Sequence, residues 1–196
     1  HFLCKLIPVS HQIPLVCQHG SFTNNFSVQF KLKHIQVFVV LQKNVSCSST
    51  VIHMALKEIQ HGSGDYQKMI QLRMEILRKP LGLSFVDSEL EKEKDDILIA
   101  AFEDDRILGC CLLTRMDPQT VRLRQMAVQN NLQGKGIGAS LMNFAENIAR
   151  DRGYKKLVMH ARKVALGFYE KQGYKVEGDE FTEVSIPHFR MYKKLK

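Results

Sequence analysis

The sequence predicts a mixed α/β domain with a mostly antiparallel central sheet flanked by helices, and three observations carry that expectation. Two apolar runs, Ile97 to Phe102 and Ile107 to Thr114, are separated by the polar Glu103-Asp104-Asp105-Arg106, the pattern of an antiparallel hairpin. A third apolar run, Val121 to Val128, follows the turn Asp117-Pro118. Beyond it the period lengthens: Ile137, Leu141, Phe144, Ala145 and Ile148 hold the i, i+4, i+7 spacing of a helix with one apolar face, which stops near Gly153. Strands that pair in sequence, then strands alternating with helices, bury their apolar faces best as layers of a single domain.

The other elements follow in order. Ala55 to Gln60 reads as a short strand that meets the breaker run His61-Gly62-Ser63-Gly64. Asp65 is expected to cap a helix with apolar positions Met69, Ile70, Leu72 and Ile76 or Leu77, ending before Pro80. Ser88 to Asp96 reads as a short solvated helix with Ser88 as N-cap and Glu91 completing a capping box. Leu157 to His160 is a short strand, Val164 to Lys171 a short helix closed by Gly173, and from Tyr174 onward two terminal strands surround Ile186-Pro187-His188.

Composition narrows the class. An apolar fraction of 44% with 24% charged residues excludes a wholly disordered or collagen-like chain. The longest near-apolar run, Ile107 to Leu113, is far short of the roughly 20 residues that cross a bilayer as a helix, so no membrane partner is expected. The 5 cysteines are odd in number and include no CxxC pair. Neither a zinc ribbon nor a complete disulfide framework is indicated, no metal is expected, and reduced thiols in the cytoplasm fit best.

Residues 1–53 contain no Asp, Glu, Arg or Met, whereas every acidic side chain lies in 54–196. That contrast predicts an atypical N-terminal extension over 1–53, non-native or disordered, with the native start at Met54 and one domain over 54–196. An import peptide is the alternative, but mitochondrial ones are Arg-rich and secretory ones place their apolar stretch nearer the start than Ile35 to Leu41. The formal charge of +8 raises nucleic-acid binding. Half of it falls in 1–53 and no interleaved aromatic and basic residues accompany it, so nucleic acid is not expected as a partner.

The segment Gln133-Gly134-Lys135-Gly136-Ile137-Gly138 lies between an apolar strand and an amphipathic helix. Glycines there let successive backbone N–H groups close on an anion, and the helix N-terminus adds partial positive charge. Its spacing is neither a Walker A loop nor GxGxxG, which argues against ATP and NAD. On the hexapeptide alone, a phosphate cradle and a turn that merely lets helix and strand pack closely stand level.

The pattern Gln-x-x-Gly-x-Gly at 133, 136 and 138 resembles the acyl-CoA pyrophosphate loop of the GNAT superfamily of N-acetyltransferases, and Leu123 to Val128 resembles its central strand. Ala165 to Tyr174 is similar to the family's A-x-x-x-Y-E-K-x-G-F/Y signature. Glu180-Phe181-x-Glu183 and Ile186-Pro187-His188 with Met191 resemble the closing strands of its ElaA-like and YjcF-like branch. The resemblance covers 54–196 and implies the GNAT-like form of the fold, with acetyl-CoA as acyl donor. Two departures stand out: Arg162 or Lys163 occupies the place where many members have Asn, and the central strand carries Arg124 and Gln125 where some keep a carboxylate base.

What the resemblance implies is direct attack of a primary amine on acetyl-CoA in a ternary complex. Tyr169 matches the family's general acid, which protonates the departing thiolate, though its place in a short helix also suits a core aromatic. Backbone N–H groups of Met126, Ala127 and Val128 would face the thioester, and Gln133, Gly134, Lys135, Gly136, Ile137, Gly138 and Ala139 would cradle the pyrophosphate. Arg162 could meet a cofactor phosphate. Glu183 and His188 are the candidate bases. Arg73 either borders the acceptor site or is a solvated helix charge, while His160, Cys110 and Cys111 look structural. An acyl-CoA-binding pseudoenzyme without turnover is the alternative function; the acceptor's identity and a homodimer stay open.

Overall fold

Aliphatic and β-branched runs bounded by polar turns become strands because a pleated surface buries alternate side chains on each face. The computed structural model describes the backbone of residues 25–32, 35–42 and 52–196 and the side chains from Met54 onward. Its strands are β1 (Asn25–Leu32), β2 (Ile35–Gln42), β3 (Ile52–Ile59), β4 (Ile97–Glu103), β5 (Arg106–Arg115), β6 (Thr120–Val128), β7 (Lys156–Arg162), β8 (Lys175–Val176), β9 (Phe181–Glu183) and β10 (Ile186–Lys194). They form one sheet in the order β1-β2-β3-β4-β5-β6-β7-β10-β8, with β9 on β10. Every pairing is antiparallel except β6 with β7. The mixed, mostly antiparallel α/β fold expected from the sequence is the fold observed. The reading of 1–53 as an extension otherwise lies outside the described residues.

The helices cover both faces. On one face α1 (Gly64–Arg73) packs Tyr66, Met69 and Leu72 against Leu98, Ala100, Cys110 and Leu112. On the other, α3 (Ile137–Asp151) sets Ile137, Leu141, Phe144 and Ala145 against Ile99, Leu113, Val121 and Leu123. Gly109 is what lets α3 sit this close: a Cβ there would lie 2.9 Å from Leu141 Cδ1 and 3.0 Å from the Ala127 carbonyl oxygen. The helix α4 (Leu166–Lys171) joins the α3 face, and α2 (Asp87–Glu91) lies between α1 and β4 in the chain.

Helix boundaries differ from the sequence reading in instructive ways. The cap of α1 is Ser63, whose Oγ accepts from the Tyr66 N–H at 3.2 Å, because Asp65 turns instead to Lys57 Nζ at 2.6 Å. The chain continues past Arg73 as one π turn, Met74–Arg78, and a 3-10 turn, Lys79–Leu81, where Pro80 removes a donor. The expected Ser88 capping box is not formed: α2 starts at Asp87, and its Val86 cap supplies no side-chain bond. Three strands rather than two follow Tyr174, because the run before Ile186 divides into β8 and β9.

One carboxylate ties α3 to the last strand. Glu146, 3% exposed, accepts from Lys193 Nζ at 2.7 and 2.8 Å, from the Tyr174 hydroxyl at 3.0 Å and from Arg150 Nη2 at 3.0 Å. Glu146→Ala strands those donors around a buried gap. A loss of about 3 kcal/mol in urea-unfolding free energy is expected, with the slope m unchanged.

Candidate active site

Strand β6 is the origin of the site. Its parallel ladder with β7 runs only from Thr120↔Lys156 to Leu123↔Met159 and then stops. Two residues later Gln125 adopts φ +48°, and Gln125 with Met126 stands opposite the single Cys111 of β5, a bulge that turns the strand aside. Beyond Leu123 the strands part, and a cleft of about 790 Å³ opens there. Its floor includes Met126, Ala127 and Val128, whose edge toward β7 has no ladder partner on that strand.

The bulge has a buried anchor. Arg73, at the end of α1, is fully buried and donates from Nη1 to Gln125 Oε1 at 2.7 Å. The same guanidinium grips Glu93 with two bonds, 2.7 Å to Oε1 and 2.9 Å to Oε2, and the Tyr66 hydroxyl donates to Glu93 Oε2 at 2.7 Å. Glu93, 2% exposed, belongs to the acidic stretch that reads in sequence as solvated surface. Both that reading and the acceptor-border or solvated reading of Arg73 are corrected, because each charge supplies the partner the other needs inside the protein.

Where the strand ends, the glycine loop begins. Gly134 and Gly136 have φ of +78° and +83°, a region that costs other L-residues roughly 1–2 kcal/mol, and a Cβ on either would meet nothing within 4 Å. These two glycines therefore shape an open concavity. Gly138 does the opposite: a Cβ there would lie 3.2 Å from Phe168 Cζ, so this glycine lets α3 and α4 approach. Gly136 caps α3 without a side-chain bond, and the first backbone bond of the helix is Ser140 N–H to the Gly136 carbonyl at 3.0 Å. The amides of Ile137, Gly138 and Ala139 precede it and have no partner within the helix.

Tyr169 reaches the cleft from α4. It is 9% exposed, its ring packs edge-on against Phe168 and Tyr174, and its hydroxyl points to Met126 Sδ at 3.6 Å. Burial pushes the phenol up to about 12, with Arg162 opposing, so it holds its proton through the neutral range. Burial likewise pushes the Cys110 thiol up to about 12, leaving negligible thiolate for a nucleophile.

Three polar groups from other strands meet on the far side. His160, on β7, lies 2.8 Å from Glu183 Oε2 and 2.8 Å from Arg122 Nη2, both through Nδ1. One ring nitrogen either donates to Glu183 or accepts from Arg122, so the tautomer selects the partner. His160 is thus tied into the cleft, a correction to its reading as a strand residue without a partner. Burial raises the Glu183 carboxyl, but the His160 hydrogen bond and the His160 and Arg122 charges outweigh it, and Glu183 stays below the usual carboxylate range. His188 places Nδ1 2.8 Å from the Ile186 carbonyl. Donating there leaves Nε2 with its lone pair.

Of the residues singled out in the sequence, Met126, Ala127, Val128, Gln133, Gly134, Gly136, Gly138, Ala139, Arg162, Tyr169, Glu183 and His188 line this one cleft. Lys135 and Ile137 do not: Lys135 is exposed outside it, and the Ile137 side chain is 2% exposed in the core. Residues not foreseen as lining include Arg122, Arg124, His160 and, from the turn after α1, Ile76, Leu77, Arg78, Leu81 and Leu83. The alternation Val121-Arg122-Leu123-Arg124 was the available signal, since it sends both arginines to one face of a strand.

A family model described as an acetyltransferase (GNAT) domain matches residues 83–195. The "Probable N-acetyltransferase 14" of Xenopus tropicalis is 35% identical over 86 residues, which are 42% of this chain and 42% of that protein. The uncharacterized N-acetyltransferase YjcF of Bacillus subtilis (strain 168) is 30% identical over 106 residues, 54% of this chain and 74% of YjcF. The chain thus spans less than half of the first relative and about three quarters of the second. A GNAT family acetyltransferase from Elizabethkingia anophelis with acetyl-CoA bound superposes with a TM-score of 0.57 at 19% identity, over 72% of this chain and 98% of that one.

The anchor of the bulge is open to test by unfolding. Arg73→Met leaves Glu93 buried without its cation and is expected to cost about 3–5 kcal/mol, whereas Arg73→Met with Glu93→Leu is expected to recover at least half of that loss in the same urea titration. The double-glycine cradle, the strand that parts beside it and the match over 83–195 together make this chain a member of the GNAT acetyltransferase domain family.

Proposed function

We propose that this chain transfers an acetyl group from acetyl-CoA to a primary amine by direct attack in a ternary complex. The observation that carries the proposal is a single cleft, at the separation of β6 and β7, joining two left-handed glycines and an uncapped helix N-terminus to a buried tyrosine hydroxyl. A diphosphate fits the first feature, since amides without partners and a helix dipole both favour an anion. The acetyl-CoA carried by the Elizabethkingia anophelis protein supports this reading of the donor.

In the proposed reaction the amine lone pair attacks the thioester carbonyl carbon. Amides of Met126 and Val128, on the unladdered edge of β6, would donate to the oxygen as charge gathers there, while the Ala127 amide between them faces Cys110 of β5. The C–S bond then breaks and the sulfur takes the Tyr169 proton, which the phenol regains from solvent. Among the described residues the Tyr169 hydroxyl has only a thioether as partner, so little holds it away from a sulfur ligand.

The acceptor arrives as an ammonium and must lose a proton. Glu183 is charged and, with its affinity for protons lowered, suits attraction of that ammonium better than its deprotonation. His188 Nε2 is the stronger candidate acceptor of the proton. Cys110 and Cys111, buried and without a disulfide among the described residues, are consistent with a reducing, cytoplasmic setting.

Acetyl-CoA at a hundred times its Kd is expected to add about 2.7 kcal/mol of stability and to raise Tm by several degrees. Tyr169→Phe is expected to keep that rise while kcat for thiol release falls about 10- to 100-fold. With the phenol near 12, wild-type kcat should hold on the alkaline side to about pH 10. Loss of activity centred below about pH 9 on that limb would contradict Tyr169 as the acid.

A further inference from the structure

The two faces of the sheet meet the cleft with different chemistry. The cradle glycines, Phe168 and Tyr169 belong to α3 and α4 and their approach on one face. On the other face, register fixes what accompanies α1. Leu112, packed under α1, pairs with Arg124; Arg122 pairs with Val158; His160 pairs with Arg190, and Arg162 with His188. Paired residues of neighbouring strands project to the same side, so Arg122, Arg124, His160, Arg162, His188 and Arg190 all share the α1 face.

Charge on that face is out of balance. Four arginines line the cleft, Arg78, Arg122, Arg124 and Arg162, against one carboxylate, Glu183. Glu183 is already engaged by His160 and by Arg122 at 3.7 Å, and Arg190 by Glu177 at 3.0 Å. Arg78 is paired with Glu89 at 3.3 Å, whereas Arg162 has no hydrogen bond or ion pair among the described residues, and Arg124, its side chain 38% exposed, lies 3.3 Å from Thr114 Oγ1 and 3.8 Å from Asp96 Oδ2. Burial lowers the proton affinity of Arg122, and the nearby Arg124 and Arg190 lower it further against the pull of Glu183, which is how a cation cluster short of anions behaves.

The walls above this cluster are apolar. Leu81 and Leu83 on one side and Val184 on the other line the cleft while 37%, 37% and 53% exposed, and Ile76 and Ile186 continue the two surfaces. Val184 also sits at φ +52°, a conformation unfavourable for a β-branched residue, in the two-residue turn that holds Glu183 and Ile186 beside the cleft.

Resting on the acetyl-transfer reading above, we propose that the acceptor is a small amine that carries its own anionic group and an apolar body, a free apolar amino acid being the simplest form. Its ammonium would be drawn to Glu183, its carboxylate to the Arg124 and Arg122 guanidiniums, and its side chain to the Leu81, Leu83 and Val184 walls. Carboxylate and guanidinium pair through two parallel hydrogen bonds, which a neutral amide cannot match. A polyamine would set its further ammonium groups against the same arginines, and like charges at that distance select against it.

The test compares acetyl-CoA-dependent thiol release with leucine, leucinamide and spermidine, in the wild type, Arg124→Gln and Arg124→Lys. Leucine and leucinamide differ only at the anionic group. The expected result is kcat/KM at least about ten-fold higher for leucine than for leucinamide or spermidine. Arg124→Gln should collapse the leucine-to-leucinamide ratio by a similar factor, with Arg124→Lys recovering part of it. Equal or better use of leucinamide or spermidine, a ratio that Arg124→Gln leaves unmoved, or turnover of none of the three would each overturn the proposal. The rise in Tm with acetyl-CoA is read on the same samples: its presence keeps the acetyl-transfer reading standing in those cases, and its absence removes both.

Discussion

A strand cannot stay in a parallel ladder and also present its amides to a ligand, and β6 resolves that conflict within nine residues. Up to Leu123 it is laddered to β7, and from Gln125 it has turned away. The turn depends on a backbone conformation that glutamine does not favour, held by a hydrogen bond from a guanidinium buried at the end of α1. Arg73 is fixed in turn by Glu93, and Glu93 by Tyr66, so helix, acidic segment and bulge form one buried polar unit. An arrangement of this kind is costly to build and costlier to half-remove, which suits an element that sets geometry rather than one that adds stability.

The parting of the strands gives the molecule its two-sided chemistry. One side of the opening is made of amides and glycines, with Tyr169 buried beside them and kept protonated by that burial. The other side is made of long charged side chains on alternating positions of three strands. A donor bound through backbone and an acceptor bound through side chains would meet at the strand edge between. This division also explains why a carboxylate on β6 itself is dispensable in the proposed reaction: β9 and β10 bring Glu183 and His188 to the same opening.

Much of this was legible in the sequence because local chemistry and tertiary role coincide. The polar break at Glu103 to Arg106 makes a hairpin wherever it sits, and Gly134 and Gly136 announce a loop because no other residue takes those backbone angles cheaply. Tyr169 stood within a motif whose spacing fixed its element. Arg73, Glu93 and His160 were not legible for a common reason. Each acquires its meaning from a partner 20 or more residues away, and in isolation a charge on a short helix or a histidine in a strand has a bland reading. The bulge at Gln125 carries no glycine or proline to signal it, and only the Cys111 register reveals it.

The central claim is that the edge of β6 and the first turn of α3 bind one ligand together. Amide hydrogen exchange, followed residue by residue with and without acetyl-CoA, tests it most directly. Slowed exchange at Met126 and Val128 together with Ile137, Gly138 and Ala139, leaving the β4–β5 ladder unchanged, is the predicted result. Protection that appears elsewhere and spares both segments would contradict the account.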